Sequence, residues 1–198
     1  MKNSILLGGA LFMLFAASCG SGAKHPDPKA NADSIRARAF RMPAPVKTQF
    51  AATVREAETK MRAGLDKPFD AEVAGGLIKA YLDYANAFPG DTLAPDYIFR
   101  AGEIATRAGS YDQAIMLFHN VSDKYPEYKY VVEALYEEAM IYDSKLPGQA
   151  EKARPIYEQI IRNYPKNKLA EDSKVAITHL GKSDEELVKE FEKKNGMK

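Results

Sequence analysis

One pattern restricts the fold of this chain more than any other: three apolar helical stripes, each closed by a proline at the same distance. "NAFP" ends at Pro89, "DKYP" at Pro126 and "RNYP" at Pro165, so the prolines lie 37 and 39 residues apart. Counting back from each proline, the same slots hold packing residues. They are Leu77, Tyr81 and Tyr84, then Ala114, Phe118 and Val121, then Ala153, Tyr157 and Ile160, always in steps of four, three and five. Positions i, i+4 and i+7 share one side of an α-helix, and a proline beyond them stops it. One such helix alone buries little, so a stripe repeated at a near-constant period implies units that fold by stacking.

The rest of the unit follows from small residues. Thirteen positions after the first two prolines stand Gly102 and Ala139, midway along helical stretches, where a second helix can cross closely. The third such position is Thr178, so the last unit departs from the pattern. In the first unit, Phe50, Val54, Ala57 and Met61 make a helical stripe that predicts a partner for the stretch 70–88. Gly75 and Gly76 lie inside that stretch, where each costs about 1 kcal/mol relative to alanine. They are read as a site of close helix packing, since no strand precedes them to make a phosphate loop. At the far end Ser183 and Glu186 have capping-box spacing, and Leu187, Val188 and Phe191 form a narrow apolar edge on a charged helix.

These features resemble the tetratricopeptide repeat, with two antiparallel helices per unit, small residues at the crossing and proline at the end. In "GEIATRAGSYDQAIMLFHNVSDKYP", Gly102, Ala114, Phe118 and Pro126 sit at the family's spacing. The family period is about 34; here it is stretched, and residues 143–149, "DSKLPGQ", lengthen the inner turn of the third unit. Stretched units with "YP" endings are similar to those of bacterial envelope lipoproteins of the BamD and CpoB kind. The resemblance implies an all-α tetratricopeptide-like solenoid of about three helix pairs plus a short C-terminal capping helix, spanning residues 47–198.

The N-terminus has a different character. Lys2 and the free amine precede an unbroken apolar run at residues 5–15, and Ala16, Ala17 and Ser18 form a small-residue tract. The run is shorter than the roughly 20 apolar residues a spanning helix needs. "AASC" resembles a bacterial lipobox, with Ala16 where leucine is usual. This assigns residues 1–18 to a lipoprotein signal peptide and makes Cys19, the only cysteine, the lipidated residue. Several acyl chains anchor stably where one does not, at about 0.8 kcal/mol per buried CH₂. Gly20 stands where aspartate causes inner-membrane retention in lipoproteins, so the resemblance implies the outer membrane, facing the periplasm. Residues 19–46, interrupted by Pro26, Pro28, Pro43 and Pro45, read as a lipid-anchored flexible tether with a reach of roughly 25–30 Å. Its Arg36, Arg38 and Arg41 read as a solvated cluster or a contact to anionic lipid.

Chemistry is hard to find in the remainder. The chain has no GxSxG, no HExxH, no cysteine pair and no glycine-rich loop after a strand. His25, His119 and His179 are scattered, which argues against a metal site, and Lys145 and Pro147 stand where a calcium loop needs oxygen ligands. Lys+Arg is 28 against Asp+Glu 27, so no bulk charge draws nucleic acid. The expectation is a protein without enzymatic activity, cofactor or metal.

A surface is left. By the family's register, the first helices present Asp96, Phe99, Glu103 and Arg107 in the middle unit, and Glu133, Tyr136 and Met140 in the next. Two aromatics, a methionine and mixed charges suit an extended peptide or a helix, although Phe99 and Tyr136 could equally pack against neighbouring helices. The implied role is a protein–protein interaction scaffold in the bacterial envelope, monomeric or in a heteromeric complex. Its partners would be envelope proteins or peptides, in outer-membrane protein assembly or cell-envelope coordination. A solute- or glycan-binding lipoprotein is the alternative, which an open solenoid without tryptophan favours less.

Overall fold

The computed structural model describes residues 44–64, 66 and 68–196. Residues 1–18 read as a signal peptide, Cys19 and most of the segment 19–46 read as a tether lie outside the described residues. Within them the chain forms eight α-helices: α1 (Ala44–Arg62), α2 (Ala71–Ala87), α3 (Leu93–Arg107), α4 (Tyr111–Lys124), α5 (Val131–Ser144), α6 (Ala153–Asn163), α7 (Lys168–His179) and α8 (Asp184–Lys194). A 3₁₀ turn, Ala150–Lys152, leads into α6, and no strand occurs among the described residues. From α1 to α7 each helix packs mainly on its neighbours in the chain, which makes a solenoid. The pairs are α1/α2, α3/α4 and α5/α6, followed by α7.

The proline signature works through the residue before it. A following proline ring excludes the α region, and Phe88, Tyr125 and Tyr164 accordingly adopt nearly the same conformation, φ −129, −131 and −128° with ψ 58, 58 and 50°. Each still donates its backbone N–H to the carbonyl four residues earlier, Tyr84, Val121 and Ile160. Each carbonyl then accepts from a residue three further on, Asp91, Tyr128 and Asn167, at 2.9 Å in all three cases. Proline thus occupies the second position of a tight turn, where its fixed φ belongs. One turn, used three times, sets the angle at which each first helix starts.

The core consists of the repeated slots. Tyr84, Ala114, Phe118, Val121, Ala153, Tyr157 and Ile160 are all 1% exposed or less, and Leu77 and Tyr81 are nearly so. Val54 is buried, with Phe50, Ala57 and Met61 packed beside it, as the stripe predicts. A Cβ placed on Gly102 would lie 2.8 Å from Cε1 of Phe118, so only glycine permits that crossing. The lengthened turn of the third unit uses Gly148 at φ +74°, a left-handed conformation natural to glycine.

Three details differ from the reading of the sequence. Residues 44–46 of the segment 19–46 read as tether belong to α1; Val46 packs against the core and Lys47 pairs with Asp91 in the turn before α3. Those contacts across the pair outweigh the disruptive prolines, because Pro45 falls in the first turn of α1, where its missing N–H has no helical partner to lose. Gly75 and Gly76 are not sites of close packing among the described residues, since a Cβ on either meets nothing within 4 Å. The capping box at Ser183 forms as expected, with Glu186 Oε2 accepting from the Ser183 backbone at 2.8 Å. The apolar edge of α8 nevertheless faces solvent, Val188 at 55% and Phe191 at 61% exposure.

Candidate functional site

The first helices α3 and α5 carry the seven residues that the repeat register places on one surface. The structure distributes them among three local environments. Asp96, in the first turn of α3, accepts from Tyr128 Oη at 2.9 Å and from Arg100 Nε at 2.8 Å. Arg100 also lies 3.9 Å from Glu58 of α1, whose carboxylate accepts from Tyr81 Oη at 2.8 Å. A polar chain Tyr81–Glu58–Arg100–Asp96–Tyr128 therefore links α2, α1, α3 and the turn that precedes α5. Burial, and then the hydrogen bond to Asp96, push the Tyr128 phenol far above its ordinary pKa; Tyr81 is raised by burial and by Glu58.

Phe99 is half-buried at the centre of an aromatic group. Its ring meets Phe118 edge-on at 5.5 Å, stacks on Tyr130 at 5.9 Å and lies 6.3 Å from Tyr128. Lys129 Nζ sits 4.6 Å from the Tyr130 ring centre. Tyr136 turns towards its own second helix and meets Tyr157 at 5.7 Å. Both aromatics therefore brace the pairing of helices. The exposed aromatic of this region is Tyr130, 40% accessible.

Glu103 remains on the outer face, and Glu137 of α5 is its neighbour across the repeat boundary. Burial raises the pKa of Glu103, and the negative charge of Glu137 raises it further; burial raises Glu137 as well. Glu133 is half-buried, its Oε2 enclosed without a hydrogen-bond partner, and Met140 is half-buried near the end of α5. Arg107 leaves the group, with its guanidinium 6.0 Å over the Phe69 ring in the α1–α2 connection. The outer stripe is thus Asp96, Arg100, Glu103 on α3 and Glu133, Glu137, Met140 on α5.

Arg100, Glu137, Tyr128 and Tyr130 were missed from sequence. The helical period itself would have placed Arg100 and Glu137, one residue on from Phe99 and Tyr136. The "EYKY" between Pro126 and α5 was visible too, but nothing local says that a turn tyrosine reaches back to α3. A second residue without a sequence signal is Glu138, only 6% exposed, facing His119 of α4 at 3.4 Å. Burial raises its pKa, partly countered by that histidine. Among the described residues no group of three or more His, Cys, Asp or Glu side chains could hold a metal ion, and no helix is long and apolar enough to cross a membrane.

Stacked helix pairs with an outward stripe on the first helix of each define the class, an α-solenoid of the kind that binds other proteins along its surface. The sequence profile of the tetratricopeptide repeat matches residues 96–128 and 133–167, the second and third helix pairs with their closing turns. These two helix pairs are thus similar to tetratricopeptide repeats, and the α1/α2 pair repeats their closing turn and core slots. No curated protein and no solved structure matches it.

Proposed function

We propose that this protein is a non-catalytic interaction scaffold of the bacterial envelope, lipidated at Cys19 and anchored in the outer membrane on the periplasmic side. The observation that carries the scaffold reading is the matched pair of repeats, whose first helices α3 and α5 present one continuous polar stripe with Tyr130 beside it. The anchor reading rests on the lipobox-like "AASC" after a short apolar run. Among the partners such a protein would hold, components of outer-membrane protein assembly or of envelope constriction fit its resemblance to repeat lipoproteins. The stripe suits an extended or helical segment of a partner, with Glu103 and Glu137 selecting positive charge and Tyr130 giving an apolar contact.

A photo-reactive residue at Glu103, in intact cells, tests the proposal. Capture of a defined envelope protein, lost when the probe is moved to exposed Met116 on α4, supports it. Equal capture from both positions, or capture of only cytoplasmic proteins, would overturn it.

A further inference from the structure

The interior of the solenoid divides at α5. Its buried Ala134 and Ile141 join the core that α1 to α4 build, whereas Val131, Val132, Leu135 and Ala139 join the core around α6 and α7. The second and third helix pairs are held together chiefly by α4 and α5, because the backbones of α3 and α5 hardly approach one another. Ala134, Glu138 and Ile141 stand at i, i+4 and i+7, so the stripe that α5 gives to the earlier core has a carboxyl at its centre. One period earlier the same slot holds Ala101, fully buried, and one period later it holds Ile177. Glu138 is therefore a charged residue in a boundary slot that is apolar in the neighbouring units.

Its surroundings offer the charge little. Oε1 of Glu138 lies 3.4 Å from His119 Nδ1 on α4, and Oε2 is enclosed with no hydrogen-bond partner among the described residues. Tyr142, one turn further along α5, feels both Glu138 and Asp112 of α4, and Lys152 of the 3₁₀ turn sits 5.5 Å from the centre of that ring. Tyr157 of α6 lies towards Tyr136, Glu137 and Asp143, Asp172 of α7 towards Tyr136, and Glu103 of α3 towards Glu137. The Glu138 carboxylate thus depends on His119, which offsets its charge only while the imidazole is protonated. A carboxyl so placed is tolerated when neutral and opposed when ionised, and burial raises its pKa accordingly.

We propose that Glu138 makes the α4–α5 boundary a pH-gated hinge. Protonated, its carboxyl lets Ala134 and Ile141 close on the earlier core; ionised, it draws in water and parts the middle of α5 from α4. The pivot is the start of α5, where Tyr130 stacks on Phe99 and Tyr128 Oη donates to Asp96 across the same boundary. Because burial raises the folded value, the closed state is complete below the unfolded value near 4.5 and is lost as pH rises through the folded one. Opening alters the spacing between the outer stripes of α3 and α5. It does so whether or not Cys19 is acylated or a partner is bound.

Hydrogen exchange on the full chain, read by mass spectrometry at pH 4.5 and pH 8 and corrected for the intrinsic pH dependence of exchange, tests it. On going to pH 8, amides of residues 134–141 should lose at least about tenfold more protection than those of α2. Glu138→Ala, which gives this slot the residue type that α3 has there, and separately Glu138→Gln should each abolish that difference. Equal protection at both pH values in the wild type would overturn the proposal. So would a loss of the same size in α2 and α5, which would be a change in overall stability. A difference that persists in both variants would also overturn it, because another group would then be titrating.

Discussion

Substituting Gly102 separates two opposing effects whose sizes are known. Replacing glycine by alanine inside a helix gains about 1 kcal/mol from propensity. Here the added methyl would lie 2.8, 2.9 and 3.0 Å from Cε1, Cζ and Cδ1 of Phe118. That ring is fully buried and braced by Phe99, so it has no free direction in which to withdraw. Forcing a methyl into such a site costs about 1–3 kcal/mol. The clash offsets or exceeds the propensity, and Gly102→Ala should be destabilising by up to about 2 kcal/mol, lowering Tm by up to about 8 °C for a chain of this size. Gly75→Ala is the matched control, because its Cβ meets nothing within 4 Å; it should raise stability by about 1 kcal/mol. Urea denaturation followed by circular dichroism measures both. Phe118→Leu, which removes the obstructing ring, should cancel most of the extra cost of Gly102→Ala in a double-mutant cycle. If Gly102→Ala is as stabilising as Gly75→Ala, the close crossing of α3 and α4 is refuted.

Three further outcomes are expected. Cys19→Ala should abolish incorporation of a clickable fatty acid and leave an uncleaved precursor; label retained on the variant refutes the anchor. Phe99→Ala should cost about 2–3 kcal/mol of stability because it empties a half-buried aromatic site, whereas Glu103→Lys should change stability by less than about 0.5 kcal/mol yet weaken capture of the envelope partner; thermal melts alongside crosslinking distinguish them, and intact capture by a stable Glu103→Lys chain removes the stripe from the binding surface. The carboxyl of Glu138 is raised above its ordinary value by burial, so the folded state holds that proton more tightly than the unfolded one. Its stabilising contribution is complete below the unfolded value near 4.5 and is lost as pH rises through the folded value. Glu138→Gln should remove that decline from a stability–pH curve; an unchanged difference between pH 4 and pH 8 contradicts the assignment.

The sequence alone determined the repeat. A period-3.6 stripe, a pre-proline residue barred from the α region and a proline with fixed φ are local properties, so helix existence, helix ends and the three matching turns were all legible, as were the buried Tyr84, Phe118 and Tyr157. The match of two units to the tetratricopeptide profile reflects the same local features. The start of the domain was less clear, because the pull of Val46 and Lys47 into the structure comes from contacts with residues distant in the chain, including Asp91.

Tertiary structure decided how the surface is shared. Phe99 and Tyr136 stand one helical step from Arg100 and Glu137, and a rotation of 100° separates a bracing ring from an exposed charge. Which of them faces outward depends on where Phe118, Tyr128 and Tyr157 arrive from other elements. The same holds for Arg107, drawn to Phe69, and for Glu138, buried opposite His119. A helix stripe is set by neighbours three and four residues away; a site is set by side chains that meet only after the pairs have stacked.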